Sequence, residues 1–160
     1  MPDFVKKIKK ARSDDLTAGE ELLAATVGQP MGTFSRQALG GIVGVLASKK
    51  MADRKLATLD GAGDSGLAAT VPADQQLVIA VTDRRVLFYI QGIMSGAPKE
   101  MATAIDIADV HEMSLEKHKM TSALTIRFSD NSARMLECVK MAKPQDVVEA
   151  FNRTKGSKAA

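Results

Sequence analysis

Between Leu77 and Val139 the apolar side chains alternate with polar ones or gather in short β-branched and aromatic runs, and that period of two commits the stretch to strands. Leu77-Val78-Ile79-Ala80-Val81 and Val86-Leu87-Phe88-Tyr89-Ile90 are two such runs, joined by Thr82-Asp83-Arg84-Arg85, whose short polar residues suit a tight hairpin connection. After breaks at Gly92 and Gly96-Ala97-Pro98, the alternation resumes through Ala104-Ile105-Asp106-Ile107 and Val110 to Leu115, around Asp109. Leu124, Ile126 and Phe128 alternate with Thr125 and Arg127, turn at Ser129-Asp130-Asn131-Ser132, and return through Arg134 to Val139. Two hairpins and a connecting strand predict an antiparallel sheet. Pro144 then stands where the first turn of a helix tolerates it, and Val147, Val148 and Phe151 share one face. The spacing predicts a closing helix of about ten residues, ending before Lys155-Gly156-Ser157.

The first half is less regular. Residues 1–15 read as a basic amphipathic helix, with Phe4, Val5, Ile8 and Ala11 on one side and Lys6, Lys7, Lys9 and Lys10 on the other. A helix this short needs a surface to lie on: the body, a second subunit or a membrane. Gly19-Glu20-Glu21-Leu22-Leu23 to Val27 is composed well enough for a helix, and Thr17 with Glu20 has capping-box spacing. Residues 30–73 contain an apolar, glycine-rich run, Gln37 to Ala47, too short for the roughly 20 residues of a spanning helix. Gly40 and Gly44 have the GxxxG spacing that permits close approach. That run, with Val45 in it, reads as a buried connecting helix, a self-association surface, or, between Arg36 and Lys49-Lys50, a membrane contact.

Charge and chemistry narrow the function. The net charge is +3, but lysines and arginines collect near both ends, which favours an anionic lipid or phosphate-rich surface or simply keeps helix faces solvated. With one cysteine, Cys138, no internal disulfide or multi-cysteine metal site forms, and the start has no apolar secretory run, so a cytoplasmic setting is expected. Gly61-Ala62-Gly63-Asp64-Ser65-Gly66 is a literal G-x-G-x-x-G, yet Pro72 follows too closely for the helix that would aim N–H groups at a pyrophosphate. His111 and His118 are seven apart, so on one strand they point to opposite faces. Cys138 falls in an alternating strand and reads as a buried, inert thiol. With no Trp, one Tyr and five Phe, the chain lacks the aromatic platforms of single-strand nucleic-acid readers. No catalytic centre, cofactor, metal or nucleic acid is expected.

The string Leu77 to Ile90 resembles the hairpin of bacterial pleckstrin-homology-like domains, a group similar to the GRAM family. The lead-in Gly19-Glu20-Glu21-Leu22-Leu23, the Ile105-Asp106-Ile107 strand, the Leu124 to Phe128 strand and the closing helix follow in matching order. The resemblance implies an α+β fold, a curled antiparallel sheet or partly open seven-stranded barrel capped by the C-terminal helix, and turns residues 21–27 into a strand. The domain is then expected at 16–153, with a flexible tail at 154–160, and it departs from the family by an insertion at 30–73 that is too long for a structureless loop and is expected to hold a helix. The resemblance also implies that Thr82 bonds locally and that Arg84 or Arg85 pairs with a carboxylate. The expected function is a non-catalytic module that binds a protein partner or a second copy of itself through Phe4, Ile8, Gly40, Gly44 and Val45. One alternative is a peripheral module for anionic membranes, contacting them through Lys6, Lys7, Lys9, Lys10, Lys49 and Lys50; the other is an enzyme whose residues converge without leaving a motif.

Overall fold

The computed structural model describes residues 3–31, 66–72, 74–92 and 97–159. Helix α1 (Phe4–Ala11) leads into β1 (Leu22–Gly28), and after residue 66 come β2 (Leu77–Thr82), β3 (Arg85–Gln91), β4 (Pro98–Asp106), β5 (Val110–Lys117), β6 (Thr121–Phe128), β7 (Ala133–Val139) and α2 (Pro144–Ala159). The strands form two antiparallel sheets, ordered β1-β2-β3-β4 and β5-β6-β7. Register shifts in the β1–β2, β3–β4 and β5–β6 ladders mark the bulges that curl them. One bridge joins the sheets: the backbone of Gln29 exchanges bonds of 2.9 and 2.8 Å with Glu137. They do not close into a barrel, as the α+β, partly open expectation requires.

The unbroken apolar runs of β2 and β3 have a plain cause, because both faces of the first sheet are covered. Leu77, Ile79, Val81, Val86 and Phe88 enter the main core with Leu124, Ile126, Phe128 and Leu136 of the second sheet and Val147, Val148 and Phe151 of α2. Val78, Ala80, Leu87 and Tyr89 face the other way and meet Phe4 and Ile8 of α1. Asp3 starts that helix by accepting the Lys6 N–H at 3.1 Å. Fully burying Ile8 contributes about 1.5–3 kcal/mol, enough to hold a two-turn helix that would not persist alone.

One expectation changes here. The closing helix does not stop before Lys155 but runs to Ala159, taking in most of the expected tail. The reason is tertiary: the Lys155 ammonium donates to the carbonyls of Ile107 and Val110 at 3.2 and 2.7 Å, fixing the late turns to the β4–β5 corner despite Gly156. Of the 30–73 insertion, Gly66–Thr70 forms a short 3-10 turn. Gly40, Gly44, Val45, Lys49 and Lys50 lie outside the described residues. Gly66, the last glycine of G-x-G-x-x-G, has φ +59, and a methyl there would overlap the Asp130 carboxylate that receives the Leu67 N–H at 2.7 Å.

Candidate functional site

The Thr82-Asp83-Arg84-Arg85 turn carries a dense polar cluster whose contacts are made within the chain, part-buried around Glu20 and exposed at Thr17 and Glu21. Thr82 Oγ1 accepts the N–H groups of Arg84 and Arg85 at 3.0 and 2.8 Å and donates to Glu20 Oε2 at 2.6 Å. The Arg85 guanidinium grips the same carboxylate through two bonds, 2.7 and 3.0 Å, and donates to the Asp15 carbonyl at 2.9 Å. Arg84 reaches Thr17 Oγ1 at 2.9 Å, and the Glu21 N–H meets Asp83 Oδ1 at 3.0 Å. Burial pushes the Glu20 carboxyl up, but bonds from Arg85, Thr82 and Thr17 outweigh it and bring the group down to about 2. The cluster is a clamp between the β2–β3 hairpin and the lead-in to β1. The expected pairing of an arginine with a carboxylate is present, and its partner is Glu20.

The other reactive groups are placed without convergence. Cys138 is fully buried in the main core, and burial together with the Glu137 charge pushes its thiol up to about 12, so it stays protonated at neutral pH. Burial likewise raises the Tyr89 hydroxyl to about 12. His111 and His118 are both exposed, and no group of three metal-ligating side chains occurs among the described residues.

What the surface does gather is a tip of methionine and lysine. The β5–β6 turn carries Lys117-His118-Lys119-Met120, and the connection from β7 to α2 carries Lys140-Met141-Ala142-Lys143. The Thr121–Val139 register of the β6–β7 pair brings these two turns side by side, and the Lys140 N–H donates to the Met120 carbonyl at 3.2 Å. Met120 and Met141 are 54% and 65% exposed, the only large apolar side chains so exposed among the described residues. Lys117, Lys119, Lys140 and Lys143 are exposed around them. Lys143 holds the second turn with φ +55, the left-handed conformation that ends the 3-10 segment and opens α2 at Pro144. A groove of about 320 Å³ runs beside the tip, with Lys117, Lys140, Lys143 and the single carboxylate Asp146 along it and Leu115 in its wall. A second groove, about 530 Å³, places Met141 and Lys143 next to Asp3 and Phe4 at the start of α1.

The expected contact residues meet this tip only in part. Phe4 and Ile8 are buried under the first sheet, so the chain's own strands occupy the apolar face that a partner would have used. Lys6, Lys9 and Lys10 are exposed on α1, while Lys7 is half-buried with its ammonium 5.5 Å above the Phe4 ring. Met120, Met141 and their lysines were missed because no core-facing pattern includes them. The available signal was a methionine set among lysines in a turn, found twice, where an apolar side chain has no core to reach.

A model of one protein family, described as bacterial PH domain, matches residues 16–155, from just after α1 through all seven strands and into α2. No curated protein matches the chain.

Proposed function

The chain belongs to the bacterial PH domain family, and on that premise we propose that it is a non-catalytic interaction module that docks on anionic membrane surfaces through the Met120–Met141 tip. Domains of this family generally serve as interaction and lipid-binding modules. The observation that carries the finer reading is the coincidence, on two abutting turns, of the exposed methionines with Lys117, Lys119, Lys140 and Lys143. Apolar ends at the apex suit the acyl boundary, and ammonium groups around them suit the phosphate layer just above it. Each lysine near an anionic surface adds about 1 kcal/mol, so attraction is steep in charge and screened by salt. The exposed methionine ends, together with the lysines that border the two grooves, suit a deformable lipid surface. A protein partner or a second copy is the competing outcome.

Co-sedimentation with vesicles of phosphatidylglycerol and phosphatidylcholine tests this. The full chain binds at low salt, is released at high salt, and ignores pure phosphatidylcholine. Charge reversal at Lys117→Glu, Lys140→Glu and Lys143→Glu abolishes binding while thermal unfolding stays cooperative. Absence of binding to the anionic vesicles at low salt, or a charge-reversed variant that binds as well as the wild type, overturns the reading.

A further inference from the structure

Resting on that docking reading, we infer that Met120 and Met141 form an oxidation-sensitive release switch, a modification site at which peroxide detaches the module from the membrane. Among the described residues the remaining methionines are buried or half-buried: Met113 and Met135 lie in core clusters, while Met31 and Met101 pack against them. Of the described methionines, the two apex thioethers are therefore the ones that oxidant in solution meets first. Cys138 does not compete, because its thiol is buried and protonated at neutral pH.

The chemistry is a two-electron oxygen transfer. The thioether sulfur attacks one oxygen of hydrogen peroxide, the O–O bond breaks, and a sulfoxide and one water result. Two thiols reverse it, giving the thioether, one disulfide and one water. The sulfoxide keeps the side chain's length but adds a strong hydrogen-bond acceptor, so an apex that entered the acyl boundary now prefers water. Each methionine takes one peroxide, and because both sit on the same pair of hydrogen-bonded turns, either sulfoxide makes the shared apex more polar. The lysines are untouched, which leaves the charge attraction in place and removes the insertion.

The test combines peptide mass mapping with vesicle binding across a hydrogen peroxide series. Expected is oxygen addition at Met120 and Met141 before Met113 and Met135, with affinity for phosphatidylglycerol vesicles falling roughly tenfold in step, as two apolar groups turn polar. The paired variant Met120→Leu, Met141→Leu, measured against its own binding before treatment, loses none of it after the same peroxide exposure. Methionine sulfoxide reductase with a thiol donor restores the oxidised wild type. Binding that survives full oxidation of both residues overturns the switch and leaves docking intact, as does equal loss in the leucine pair. Failure of untreated protein to bind removes the docking reading and the switch with it. Oxidation of Met113 or Met135 ahead of the apex contradicts the switch without reference to lipid.

Discussion

Loss of Arg85 leaves the Glu20 carboxylate without its cation. The Glu20 side chain it grips has no solvent exposure, so removing the guanidinium strands a buried carboxylate with only Thr82 and Thr17 as donors. Arg85→Ala is expected to cost about 2–4 kcal/mol in denaturant unfolding, and Arg85→Lys less. The pH dependence follows from the same pair. Glu20 titrates near 2 in the folded chain against an ordinary 4.5, so its contribution is complete above 4.5 and is lost as pH falls from there through about 2, where the unfolded chain takes up the proton first. Glu20→Gln lowers stability at neutral pH and flattens that acid window, as unfolding midpoints measured across it will show. Such a clamp was legible as a type of contact, from the short polar turn and its arginines. Which acid completes it was not, since Glu20 and Arg85 meet only when β1 pairs with β2.

Elements were legible in proportion to how locally their causes act. The β2–β3 and β6–β7 hairpins stand where alternation and turn residues put them, because each is closed by its own turn. The face of α1 was readable from its spacing, but its docking place is set by Val78, Ala80, Leu87 and Tyr89 from distant strands. The C-terminal end of α2 could not be read at all from Lys155-Gly156-Ser157, because the device that extends it is one ammonium on the carbonyls of Ile107 and Val110. Lys155→Ala is expected to cost about 1 kcal/mol and, more tellingly, to raise amide hydrogen exchange over residues 153–159 with little change in the strands. Uniform exchange across the chain in that variant contradicts the anchoring role.

At the scale of the whole molecule, the sandwich of α1, two sheets and α2 consumes nearly every apolar face the described chain offers, and the exceptions cluster at one end. The tip escaped the sequence because its halves lie about twenty residues apart and become one surface only through the β6–β7 register. The docking we propose there gives a use to two methionines held in water among four lysines. The chain contains no tryptophan, so Met120→Trp places a single indole reporter at the apex. On addition of phosphatidylglycerol vesicles at low salt, its emission is expected to shift to the blue and to be quenched by brominated acyl chains, with no change on neutral vesicles. Emission that stays that of a fully hydrated indole while the protein co-sediments, or that never responds to anionic lipid, contradicts the account.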